Sequence, residues 1–317
     1  MSLGIRNFLN ILSQSFRRAE RVMCAMKRQQ EPDCEASYDA KAPKLDQVVS
    51  TGARGFHVFR VTKKFNPKTA CNHRIYQYLL PTFSFSPGGG ITLENCWKYR
   101  LSAETLTRVN ELFRHYKGTH NFFNFTSRRT PDDKSCQRYI MSIECGSPFL
   151  LDGDREFALI TVQGQSFMLH QIRKMIGLVI AVAKGYATEA IFENVFKTER
   201  MDVPMAPGLG LLLDQVDYTL YNKRFCADGS HQSIDWERYK RQIDEFKEAY
   251  IFQHIVKHEV EDNSMFEWMG NLSNHSYDRR EGESLPSSAT ASPATTPQPT
   301  TQEAVAGANS ALNTVEM

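Results

Sequence analysis

One stretch limits what this chain can become. Residues 157–163 read as an apolar strand, Gly164 ends it, and residues 168–184 read as a long apolar helix closed by Gly185. Met168, Leu169, Ile172, Met175 and Ile176 make that helix largely buried. A strand that feeds a buried helix needs a sheet to lie against, and the flanking sequence supplies one. Residues 58–62, 74–82, 137–144 and 209–218 read as further strands; IYQYLLP has β-branched and aromatic content and a proline stop. Residues 102–116 read as a helix with Ser102 as its cap, Leu106, Val109, Leu112, Phe113 and Tyr116 on one face and Gly118 at its stop. Residues 190–197 read as a short second helix, and 235–250 and 261–269 as acidic helices. The order predicts an α+β protein with helices on one face of a sheet. The glycines of SPGGG are not followed by Lys-Ser/Thr and a helix, so this loop is not a phosphate cradle.

The ends differ from this middle. Residues 1–30 carry Arg6, Arg17, Arg18 and Arg21 against one acid, Glu20, with Leu3, Leu9, Leu12 and Phe16 at near-helical spacing. An Arg-rich, Ser-containing, acid-poor amphipathic stretch describes a mitochondrial transit peptide; a plain amphipathic helix is the alternative. Residues 31–55 read as a linker or the remnant of a further half. Residues 56–225 form the expected catalytic domain and 226–275 a helical extension. Residues 276–317, rich in Ser, Thr, Pro and Ala, are expected to be disordered because they hold too little apolar surface to offset the entropy of ordering.

Charge narrows the function. The net charge is only +2, yet residues 56–130 hold 12 Lys/Arg and 3 Asp/Glu, while residues 226–270 hold 5 and 10. A basic region in a near-neutral chain suits a polyanion such as nucleic acid; a solvated basic face is the alternative. Seven cysteines without a C-x-x-C give no metal or disulfide framework, and no run of about 18 apolar residues predicts a membrane span.

Three constellations could carry chemistry. In CNHRIYQYLLPTF, Arg74, Tyr76 and Tyr78 alternate and share one strand face. Such a face suits base stacking with a guanidinium near phosphate or carboxylate, or else cross-strand aromatic packing. In VQGQSFMLHQIRKMIG, His170 and Arg173 share a helix face near its N-terminus, where the macrodipole does not favour a cation. An arginine on a buried helix is expected to have an anionic partner, so a buried ion pair is predicted. In YKGTHNFFNFTSRR, alternate phenylalanines can feed a core, which leaves His120, Arg128 and Arg129 for a surface role.

The segments RVTKKFNPKTACNHRIYQYLLPTFSF, YKGTHNFFNFT, GQSFMLHQIRKMIGLVIAVAKGY and DVPMAPGLGLLL together resemble the TruA family of tRNA pseudouridine synthases in its eukaryotic form, over about residues 58–268. The resemblance implies an α/β mixed sheet built from two ferredoxin-like halves with a cleft between them. It implies isomerisation of uridine to pseudouridine in tRNA and in other RNA such as mRNA, no redox cofactor, and location in mitochondrion and nucleus. In that family a tyrosine, here Tyr76, stacks on the flipped base, and an arginine, here Arg173, pairs with a nucleophilic aspartate. Arg74, Tyr76, Tyr78, His120, Arg128, Arg129, Phe167 and His170 are the expected RNA contacts. No metal, membrane or obligate protein partner is expected. The family's R-T-D-x-G-V-x-A motif is absent; the nearest echo, KLDQVVS, places Asp46 at the aspartate position without the preceding Arg-Thr or the following Gly. The pattern predicts an intact C-terminal half and a truncated N-terminal half, with an RNA-binding, non-isomerising form as the alternative activity. Half of a shared sheet would leave an open strand edge.

Overall fold

The computed structural model describes residues 55–88, 91–229 and 231–277. The transit-peptide reading, Asp46 and nearly all of the tail lie outside these residues. The hub of the fold is β1 (Arg74–Pro81). One side of it pairs with β5 (Arg155–Gly164), setting Arg74 opposite Gly164 and Tyr78 opposite Ile160. Its other side pairs with β6 (Leu211–Val216), with a register shift between Ile75 and Tyr76. β5 also pairs with β3 (Gln137–Cys145) and, nearer its start, with the short β4 (Phe149–Leu151). β2 (Gly118–Asn121) completes the order β2-β3-β5-β1-β6, and every pairing among the described strands is antiparallel.

Two helices cover one face. Helix α1 (Ala103–Arg114) starts where Ser102 Oγ accepts the Thr105 N–H, which satisfies one of its free amides, and it buries Val109, Leu112 and Phe113. Helix α2 (Gln171–Ala183) buries Ile172, Met175, Ile176, Val179 and Ile180. These side chains join Tyr78, Leu80, Ile140, Ile160 and Val162 of the sheet in one core. The Tyr116 hydroxyl donates to the Met175 carbonyl at 2.9 Å and locks the end of α1 to α2. Phe122 and Phe125 lie in the same core beside Tyr116. Truncating either to Ala would cost about 3–5 kcal/mol.

Several expectations change. Residues 58–62 form no strand: Thr62 N–H donates to the Tyr221 hydroxyl at 2.8 Å, and Phe59 and Val61 pack on Tyr218, Tyr221 and Trp236. Side-chain anchoring replaces ladder pairing there. Gly118 does more than stop a helix, since β2 begins on it. The described sheet is antiparallel rather than mixed.

The helices are not confined to one face. After α3 (Ile191–Asn194) and α4 (Thr219–Phe225), α5 (Lys240–Phe246), a π-helical segment (Lys247–Phe252) and α6 (Gln253–Asp262) run on in near-continuous succession. Phe252, Ile255 and Val256 close on Leu79 and Phe157, which point away from α1 and α2. Lys247 pairs with Asp214 at 2.6 Å, with side chains of both largely buried. Helix α7 (Ser264–Gly270) then returns Met265 and Met269 to the first core. The two acidic helices expected around a break at 251–260 are therefore helical through that break, because its apolar residues have a second sheet face to cover. Among the described residues no helix is long and apolar enough to cross a membrane, and no group of three or more His, Cys, Asp or Glu could hold a metal ion.

Candidate active site

The strand alternation of β1 sends Arg74, Tyr76 and Tyr78 to the same face, but their fates differ along it. Tyr78 is 1% exposed, and its hydroxyl donates to the Pro207 carbonyl at 2.6 Å. Burial pushes its phenol far above the ordinary range. Tyr78 is thus a core residue and not an RNA contact: the sheet face it shares with Tyr76 runs under α2 by that point. Tyr76 is half-buried, and its phenol too is raised by burial. The ring of Phe167 meets it edge to face, with centroids 5.2 Å apart and planes at 78°. Gly164 makes this corner possible. A Cβ there would stand 2.7 Å from Phe167 Cζ and 3.0 Å from the Tyr139 carbonyl oxygen, so any side chain would evict the Phe167 ring. Arg74 is half-buried and reaches the Gln165 and Lys68 carbonyls at 3.4 and 3.3 Å.

Arg173 sits in the first turn of α2. Its Nε donates to the Ala206 carbonyl at 2.7 Å, and its guanidinium lies against Gly208. Burial lowers its pKa, and Tyr78 is the group whose charge interaction opposes that shift. Among the described residues no carboxylate pairs with it, so the predicted ion pair is not formed there; a carbonyl takes one N–H instead. The segment that supplies this carbonyl is seated by Gly177, where a Cβ would stand 2.3 Å from the Pro204 carbonyl oxygen. His170 precedes the helix with φ +68, and burial followed by Arg173 and Lys174 lowers its pKa. The helix begins at Gln171 rather than 168 because this left-handed residue interrupts the helical path. Leu169, placed by sequence among the buried residues, is 68% exposed for the same reason.

The remaining candidates divide. His120 stacks on Phe196 at 4.3 Å, and its Nε2 donates to the Lys117 carbonyl at 3.1 Å. It belongs to the aromatic cluster of Phe122 and Phe196 beside β2. Arg128 is exposed with φ +60, and Arg129 pairs with Asp133 at 2.9 Å. Their loop is tied to the start of α2: Thr126 Oγ1 donates to the Leu169 carbonyl at 3.0 Å, and Lys174 Nζ donates to the Asn124 carbonyl at 3.0 Å. Sequence reasoning missed Lys174 and Arg138. Arg138 Nη1 donates to Ser166 Oγ at 2.5 Å, while among the described residues its buried Nε has no partner. The visible signal for Arg138 was a cation inside a strand pattern, opposite His120 in the ladder.

This half-buried aromatic corner beside a carbonyl-tethered arginine is the setting in which the comparisons with known proteins fall. Residues 112–219 match the family model described as tRNA pseudouridine synthase, a range that includes Phe167 and Arg173 and begins after Tyr76. This part of the chain belongs to the tRNA pseudouridine synthase family. The chain is 46% identical over 234 residues to Pseudouridylate synthase 1 homolog of Mus musculus, covering 74% of this chain and 55% of that protein. The Homo sapiens protein of the same name is 47% identical, with 74% and 54% covered. tRNA pseudouridine synthase 1 of Yarrowia lipolytica is 38% identical over 163 residues, with 51% and 31% covered. The chain thus spans about half the length of the curated relatives it matches.

Proposed function

We propose that this chain binds tRNA and converts uridine to pseudouridine within it. Tyr76 would stack on the extruded base, with Phe167 holding that ring, and Arg173 would keep a carboxylate nucleophile ionised. The carboxylate assists detachment of uracil from C1′; the base turns and rejoins through C5, and the proton lost from C5 is matched by the one gained at N1. The observation that carries this reading is the guanidinium of Arg173. It is partly buried, always charged, and without a carboxylate among the described residues. The nucleophile must therefore come from elsewhere, and Asp46 is the candidate that the sequence offers. Modification of mRNA as well as tRNA, and activity in mitochondrion and nucleus, belong to the same reading, the mitochondrial part supported by the Arg-rich residues 1–30.

The same unpaired guanidinium favours a second reading, in which the chain binds RNA without isomerising it. Incubating the full chain with unmodified tRNA and assaying pseudouridine chemically separates the two. Product that disappears in Asp46→Ala and in Arg173→Ala supports the enzyme. Salt-dependent tRNA binding with no product supports the binding-only form.

A further inference from the structure

A single exposed leucine is ordinary on a protein surface. Leu169 differs in how it is held. Its carbonyl accepts the Thr126 hydroxyl at 3.0 Å. The turn around it is closed reciprocally, with Met168 N–H on Gln171 Oε1 at 2.9 Å and Gln171 N–H on the Met168 carbonyl at 3.3 Å. Gln171 itself is fully buried. The next residue, His170, is fixed at φ +68, a conformation that a side-chain-bearing residue keeps only when its surroundings hold it there. The chain therefore spends strain and hydrogen bonds on presenting a bare apolar side chain to solvent.

The setting says what that side chain meets. Phe167, two residues earlier, forms the corner with Tyr76, and Arg173 lies one turn further on. The loop tied to Leu169 through Thr126 turns at Arg128, itself left-handed at φ +60 and exposed. An apolar projection thus stands between a base-stacking corner and a cationic loop. Turning a base out of a helix leaves a gap in the stack, and an apolar side chain that fills it keeps the neighbours apart and slows the return of the base.

We propose that Leu169 is such a wedge, entering the stacked RNA in place of the uridine that turns toward Tyr76. This rests on the reading of the site as one that extrudes uridine from tRNA. A wedge matters only where there is a stack to enter, so its effect should differ between folded and unstructured RNA. The test measures affinity of the full chain for an unmodified tRNA transcript and for single-stranded oligouridine. Leu169→Ala should weaken tRNA binding about tenfold, the scale of one lost stacking contact, and leave oligouridine binding unchanged. Leu169→Met should restore tRNA binding. The wedge is overturned if Leu169→Ala binds tRNA as the wild type does, or if it weakens both RNAs equally. A wild-type chain that binds neither RNA overturns the tRNA reading itself and the wedge with it, which separates the two failures.

Discussion

Helix α2 carries a cation at each end, Lys184 buried and Arg173 partly buried, and the two are settled differently. Lys184 follows the last turn, where the macrodipole favours positive charge, and its Nζ donates to both the carbonyl and the hydroxyl of Ser86 at 2.8 and 2.9 Å. Burial brings its pKa down to about 8, so the amine can shed its proton and keep those hydrogen bonds. Arg173 lies at the opposite end, where the dipole opposes it, and a guanidinium cannot shed its proton. It holds one carbonyl, and among the described residues it meets no counter-charge. One end of the helix is electrostatically closed; the other is open toward an anion. That difference separates the two ends more sharply than either residue does alone.

The contrast can be broken most directly at Arg173. Arg173→Met should lower pseudouridine formation by about 100-fold or more while leaving stability equal or slightly raised, because an uncompensated cation leaves the interior. A clearly lower melting temperature would show that the guanidinium is satisfied within the fold. At the other end the readout is pH. The unfolded lysine titrates at 10.5 and the folded one at about 8. The unfolded chain therefore binds more protons between those values, and stability should rise with pH across that window, by on the order of 2–3 kcal/mol. Buried thiols such as Cys145 shift the other way, so the readout is the difference: from pH 7.5 to pH 10 urea unfolding should move the stability of the wild type relative to Lys184→Met in the wild type's favour by that amount. Tyr78→Phe sharpens the Arg173 end: it leaves the Pro207 carbonyl without its donor and should cost about 1–2 kcal/mol with RNA affinity unchanged. The smallest effect is expected at the surface. Replacing Arg128 and Arg129 together with Ala should reduce the salt slope of RNA binding by about one, not two, because Arg129 already has Asp133 as a counter-charge. An unchanged slope would remove both from the footprint.

Much of the fold was readable where local chemistry and tertiary need agree. The cap at Ser102, the apolar face of α1 and the alternation in β1 are of this kind. Reading failed where partners far along the chain decide. Residues 58–62 look like a strand but find the Tyr221 hydroxyl instead of a neighbouring ladder. Phe123 and Phe125 lie in a tight 3-10 turn that the alternating pattern does not announce. Residues 251–260 cover a sheet face whose apolar character becomes visible only once β1 is paired on both sides. At the site, the spacing of His170 and Arg173 suggests one shared helix face, yet only Arg173 lies on the helix and His170 precedes it. Nothing in it reveals that His170 is left-handed, and so that Leu169 turns outward while Arg173 turns in. Tyr76 and Tyr78 carry the same pattern signal, and only the position of α2 above the sheet separates the half-buried ring from the core one.

The ladder also bears on how the chain is made. Among the described strands β1 is the first to leave the ribosome, yet its partners are β5 and β6, the second of which is the last of them synthesised. Until then IYQYLL is an apolar segment with both edges unpaired, a ready template for association between nascent chains. Pairing across so long a separation is slow as well as late. Yield of native protein should therefore depend on translation speed and on chaperones that hold extended apolar segments, more than the finished sheet, with β1 sealed at its centre, would suggest.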